Sequence, residues 1–212
     1  MYIPPSFAET DLASLHAFIE QNSFGVLFSQ VEGGPFATHL PFLLDGNAGP
    51  HGTLIGHIAR ANPQWQHFGT QTVLAVFSGP HTYISPTWYD AEDLVPTWNY
   101  LAVHVYGSIT VIEEEPSLLE IVQNSVTVYE RTMPQPWSFE PSSTFIKQKL
   151  AQIVGFRIEI TKLEGKFKLS QNHSIERREK VVSALRVRDN ENSQAIAAAM
   201  QLTMLERNPC CE

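Results

Sequence analysis

The stretch Trp98-Asn99-Tyr100-Leu101-Ala102-Val103-His104-Val105-Tyr106-Gly107-Ser108-Ile109-Thr110-Val111-Ile112 decides the fold. In an extended strand successive side chains point to opposite faces. One face here carries Trp98, Tyr100, Ala102, His104 and Tyr106, and the other carries the aliphatic Leu101, Val103 and Val105. Rings with polar tips suit a subunit interface or a planar ligand. A second apolar core beneath the C-terminal helices accounts for the pattern equally well.

Working outward, the sequence predicts strands over 24–31 and 36–44, separated by Gly33-Gly34-Pro35, then 53–58, 72–78 and 155–163. Helices are predicted from the cap Thr10 through Ile19, from Pro116 to Val126, over 144–152, and over 174–187 and 193–206. About seven strands with few helices between them favour a closed antiparallel barrel, because parallel pairs need long crossovers. The expected fold class is mainly β with flanking helices (α+β). The expected division is a β-barrel domain over 1–172 and a helical C-terminal extension over 173–212.

Composition narrows the function classes. The chain has 212 residues, 43% hydrophobic and 17% charged, the balance of an ordinary globular protein. No apolar run approaches the ~20 residues of a membrane helix. Met1 to Phe7 lacks the basic-then-apolar order of a signal peptide. The only cysteines, Cys210 and Cys211, are adjacent near the C-terminus and cannot staple the fold, which favours a reducing compartment. Cytoplasm is the expected location.

Charge is distributed unevenly. Arg60 is the only Lys or Arg among the first 130 residues, against thirteen acids, while nine basic residues fall between Arg157 and Arg188. Such an acidic body argues against a broad nucleic-acid face, since phosphate contacts need clustered cations. Arg60 is either an anion anchor or a surface arginine. It lies in Gly56-His57-Ile58-Ala59-Arg60-Ala61-Asn62-Pro63, where a strand end meets a helix start. Free backbone N–H groups and a guanidinium fork at such a place suit a phosphate. An ordinary strand–helix junction is the competing reading. The eight histidines form none of the usual metal-ligand spacings, though His81 and His104 remain candidate haem ligands.

Four stretches together resemble the PaiB-like, FMN-binding negative transcriptional regulator family. They are Gly56 to Trp65, Ser78-Gly79-Pro80-His81-Thr82-Tyr83-Ile84-Ser85-Pro86-Thr87-Trp88-Tyr89, Val95 to Tyr100 with Val103-His104, and Glu164-Gly165-Lys166-Phe167-Lys168-Leu169-Ser170-Gln171-Asn172. Met1-Tyr2-Ile3-Pro4 also fits, and the match runs to about Leu185. The resemblance implies a split β-barrel similar to pyridoxamine phosphate oxidase, with FMN at a homodimer interface. It implies that His57, Ala59, Arg60 and Asn62 sit by the FMN phosphate and ribityl chain. Ser78, Pro80 and Tyr83 would lie near the isoalloxazine, with Trp98, Tyr100 and Lys168 or Gln171 reaching it from the other subunit. Phe167 stands where many relatives carry tryptophan.

The family name implies gene repression. The candidate DNA-facing element is the helix over 174–188, with Arg177, Arg178, Lys180, Arg186 and Arg188, and a solvated helix is the alternative. A flavin-dependent oxidoreductase of a small molecule and a haem-binding split barrel are the other functions in view.

Overall fold

The structure, a computed structural model, describes residues 1–69, 71–90 and 92–205. Cys210, Cys211 and the Glu206 end of the last expected helix lie outside the described residues. The elements are β1 (Ala8–Glu9), α1 (Leu12–Gln21), β2 (Phe24–Val31), β3 (Gly34–Pro41), β4 (Leu43–Asp45), β5 (Thr53–Ala59), β6 (Thr72–Ile84), β7 (Thr97–Ile112), α2 (Glu115–Glu130), α3 (Thr144–Leu150), β8 (Ile153–Lys168), α4 (Ile175–Arg186) and α5 (Glu191–Leu205).

The strands hydrogen-bond in the order β3-β2-β6-β7-β8-β5-β4, with β1 on β8, and every pair of defined register is antiparallel. This corrects the expectation of a closed barrel. Among the described residues the order ends on β3 and β4, so the sheet is unclosed.

Local chemistry explains the shifted boundaries. Asp11, not Thr10, caps α1 by accepting from the Ser14 amide at 2.8 Å. The strand expected over 36–44 is broken at Phe42, which follows a proline that has no N–H to give a ladder. The Phe42 amide donates instead to Ser23 O at 2.9 Å. β8 extends to Lys168, past the expected end at 163, because the ammonium of Lys166 lies over the rings of Tyr2 and Tyr100, at 5.6 and 5.2 Å. A strand end that reads as charged is thereby covered.

Two compact units interleave along the chain. One comprises Met1–Leu15, Ser78–Val103 and the chain from Glu164 onward; the other comprises His16–Phe77 and His104–Leu163. In the second, Phe42 meets Phe77 and Phe156 edge-on at 5.3 and 6.0 Å, and Phe68 meets Phe156 at 5.9 Å. α2 sets Leu118 and Ile121 against Gly155, where a Cβ would stand 2.9 Å from Leu118 Cδ2 and 2.8 Å from Ile121 Cδ1. The glycine admits that close approach.

In the first unit, Val181, Val182 and Leu185 of α4 meet Ile196, Ala197 and Met200 of α5 over Ile84, Tyr89 and Leu169. Leu101 packs against this core, so the aliphatic side of β7, not Trp98 and Tyr100, faces the helices. Arg178 belongs to this core too, only 2% exposed, its guanidinium donating to Met200 O at 3.2 Å and to Thr203 Oγ1. That removes Arg178, but only Arg178, from the candidate DNA-facing cations. Of the other cations, Lys180 pairs with Asp90 and Glu176, Arg186 bonds Gln201, and Arg188 lies over Trp88. Arg177, Lys180, Arg186 and Arg188 keep exposed or half-exposed side chains.

Candidate functional site

The expected site residues divide between the two units, and each group is built locally. In the second unit β5 carries His57 and Ala59 on alternate positions, opposite Gly155 and Ile153 of β8. His57 is half-buried, and burial pushes its imidazole pKa down, keeping it neutral near pH 7. Ala59 is exposed.

Arg60 follows directly and is held on three sides. Its Nε donates to Ala151 O at 3.1 Å, Nη1 to Glu113 at 2.7 Å and Nη2 to Ile153 O at 3.1 Å. Its plane lies 5.7 Å from the Trp65 ring, whose Nε1 returns a bond to Arg60 O at 2.9 Å. One N–H remains on each terminal nitrogen, since the guanidinium has five donors. Three of the backbone donors at this junction are spent. Arg60 N donates to Gln152 O, Asn62 N to Ala59 O, and Gln64 N to Asn62 Oδ1. Asn62 caps only a five-residue 3-10 turn, Pro63–His67, while its Nδ2 donates to Thr38 Oγ1 at 3.0 Å. Its role in the structure is to hold the turn that follows Arg60. The acidic run Glu113-Glu114-Glu115 was visible in sequence, but nothing local ties it to Arg60.

In the first unit Ser78, Pro80 and Tyr83 lie along β6, and Trp98 and Tyr100 along β7. The structure gathers three rings here. Trp98, 54% exposed, meets Tyr83, 42% exposed, edge-on at 6.1 Å and His81 at 6.3 Å. Sequence reasoning considered His81 only as a haem ligand. Its two-residue spacing from Tyr83, which puts both on one side of β6, was the signal for this cluster. Ser78 is exposed and Pro80 half-buried.

At the end of β8, Lys168 donates to Thr97 Oγ1 and, at 2.7 Å, to Trp98 O. Burial and the neighbouring Lys166 push its pKa down. Gln171 closes the following turn, accepting from Leu169 N at 2.6 Å and donating to Phe167 O at 2.5 Å. In the second unit His104 and Tyr106 lie 6.5 Å apart, with the Lys162 ammonium 5.2 Å from the Tyr106 ring. Among the described residues no group of three or more His, Cys, Asp or Glu is arranged to hold a metal ion, and no helix is long and apolar enough to cross a membrane.

Comparison with known proteins adds four findings. Residues 1–162 match the family described as "Putative FMN-binding domain". The chain is 36% identical over 203 residues to the Bacillus subtilis "Protease synthase and sporulation protein PAI 2", covering 95% of this chain and 97% of that one. Its fold is similar to the flavocytochrome Anf3 of Azotobacter vinelandii, with a TM-score of 0.60 at 16% identity over 76% of this chain and 69% of that one. It is also similar to an FAD and haem binding protein of Mycobacterium smegmatis, with a TM-score of 0.57 at 13% identity over 76% and 73%. At such identities the likeness speaks for the fold alone, the mainly antiparallel split-barrel type with flanking helices.

Proposed function

Since this chain belongs to the PaiB-like family of FMN-binding proteins, we propose that the isoalloxazine of its flavin lies on the ring surface of His81, Tyr83 and Trp98. The observation that carries this reading is the exposure of Tyr83 and Trp98 in a ready-made cluster of rings. A planar conjugated ligand stacks on such a surface, and each ring contributes about 1 kcal/mol. Ser78, Pro80 and Tyr100 flank it in this reading, and of Lys168 and Gln171 it is Gln171 that is assigned to it, as the residue that shapes the turn after β8. A bound flavin supplies reversible electron acceptance, and the protein supplies its orientation.

The phosphate and ribityl contacts are assigned to His57, Ala59, Arg60 and Asn62. Arg60 offers its two remaining N–H groups, oriented by Glu113 and the carbonyls of Ala151 and Ile153. His57, kept neutral by burial, serves as a hydrogen-bonding group without charge. Asn62 acts through the turn it caps.

A regulatory role and a cytoplasmic location belong to the same proposal. The regulatory role is supported by the name borne by the Bacillus relative, and the location by the confinement of cysteine to one adjacent pair. The buried Arg178 and the engaged cations beside it give no support to DNA contact through α4. A homodimer is also part of the reading, because exposed rings of this kind are covered in most soluble proteins. Light scattering on diluted protein is expected to return the mass of a dimer, and a monomer that still holds flavin refutes the pairing.

Titration of apo-protein with FMN and with riboflavin tests the site. Trp98→Ala is expected to weaken both ligands roughly tenfold. Arg60→Ala is expected to weaken FMN roughly ten- to hundredfold and riboflavin, which lacks the phosphate, far less. Unchanged flavin affinity in Trp98→Ala removes the ring surface from the site. The spectrum of the purified protein separates the rival functions: a Soret band indicates haem, and reduction by NADH with turnover of an acceptor indicates an oxidoreductase.

A further inference from the structure

The first unit contains a cavity of about 360 Å³ that the flavin reading does not use. Thr97 and Asn99 of β7 line it, whereas Trp98 and Tyr100, at alternate positions, do not. His81 and Tyr83 are absent from its wall as well. The cavity is thus separate from the exposed rings, although both border the same end of β7.

Its polar wall is fixed before any ligand enters. Tyr89 Oη and Ser170 Oγ are 2.9 Å apart, Asn99 Nδ2 donates to Ser170 Oγ at 3.0 Å, and the His173 ring lies 4.5 Å from that of Tyr89. Tyr89, Asn99 and Ser170 are all buried. A wall of this kind loses little freedom on binding.

One charge in it is unmatched. The half-buried Lys168 ammonium has three donors, of which two go to Thr97 Oγ1 and Trp98 O. No carboxylate is ion-paired with Lys168 among the described residues. Burial and the charges of Arg177 and Lys168 push the His173 pKa down, so His173 adds hydrogen-bonding capacity but no second positive charge near pH 7. Asp93 also lines the cavity and disfavours a dianion. Because Asp93 is exposed and its charge is screened by solvent, the half-buried Lys168 ammonium, with no ion-pair partner, suits a single negative charge. Leu94 and Val95 supply an apolar side, and the volume lies near the lower end of the ~300–1,000 Å³ of small-molecule pockets.

We propose that this cavity binds a small organic monocarboxylate, its carboxylate against the Lys168 ammonium and its hydrocarbon part against Leu94 and Val95. The ligand is distinct from the flavin, and the proposal holds whether or not the flavin lies on the rings of Trp98 and Tyr83. The seat of this carboxylate adjoins Ser170 and His173, the residues leading into α4, so occupancy bears on the first turn of the C-terminal helix pair.

Calorimetric titration of the full chain with phenylacetate, benzyl alcohol, benzylamine and inorganic phosphate tests this. Phenylacetate is expected to bind one per chain, with the other three at least roughly tenfold weaker, the value of one charged hydrogen bond. Lys168→Met is expected to weaken phenylacetate roughly ten- to hundredfold, and Lys168→Arg to restore most of it. Val95→Glu places a carboxylate in the wall and is expected to abolish binding without removing Lys168; it carries the test if Lys168→Met does not fold. FMN is expected not to displace phenylacetate. Absence of phenylacetate binding, equal binding of benzyl alcohol, indifference to both substitutions, or competition by FMN overturns the proposal. The last outcome would assign the cavity to the flavin site, while the flavin titrations above stand or fall independently of the first three.

Discussion

Gly107→Ala is expected to destabilise the protein by about 3 kcal/mol or more, through overpacking against a backbone that has no room to give. Gly107 is buried in the middle of β7. A Cβ built there would stand 2.3 Å from the carbonyl oxygen of Glu159 and 2.6 Å from Ile158 Cγ2. The nearer atom is main chain of β8, so relief requires moving a strand and stretching its ladder. A flexible side chain could rotate away, whereas a carbonyl held in a sheet cannot. Gly34→Ala is the control, since its Cβ would meet only Val31 O, at 3.7 Å, an ordinary contact. At roughly 2–4 °C per kcal/mol for a chain of this size, the melting temperature of Gly107→Ala should fall by about 6–12 °C or more. A melting temperature within a degree of the parent would mean that the two strands are further apart than described.

Arg178→Ala is expected to lower stability by about 3 kcal/mol, whereas Arg177→Ala changes it by less than ~0.5 kcal/mol. The two residues are adjacent in sequence, but Arg177 is half-buried and Arg178 fully buried. Arg178 is 2% exposed, and its guanidinium satisfies Met200 O and Thr203 Oγ1 from α5. Truncation leaves a cavity in the helix pair and withdraws those donors. Arg178→Met keeps most of the volume and should lose less than Arg178→Ala. Chemical denaturation of the three variants measures this directly. Equal stabilities for Arg177→Ala and Arg178→Ala would place Arg178 at the surface and restore it as a phosphate contact. As the structure stands, neutralising Arg177, Arg178 and Lys180 together would measure the integrity of the helix pair and not DNA affinity.

The fold was largely legible because its signals are local. The alternation through Trp98 to Ile112 separated an aliphatic face from an aromatic one, and Leu101 does pack on the core while Trp98 stays exposed. Turn residues such as Gly33-Gly34 marked the hairpin of β2 and β3. Strand ends were less legible. Lys166 and Lys168 lie past the expected strand end at 163, and only the structure shows the rings of Tyr2, Phe7 and Tyr100 around them.

Residue order by itself determined the periodicities, the uneven charge and the motifs that identify the family, because each is a property of neighbours along the chain. Even the place of Arg178 was written there: Arg178, Val181, Val182 and Leu185 repeat at the helical spacing of a buried stripe. What only the tertiary structure decided is which distant group answers each side chain. Glu113 reaches Arg60 across 53 positions, α5 supplies the acceptors that make a buried Arg178 tolerable, and residues as far apart as Phe7, Tyr89 and His173 enclose the cavity around Lys168. The energy of a charge depends on the partner and the solvent around it, and neither is set by sequence neighbours.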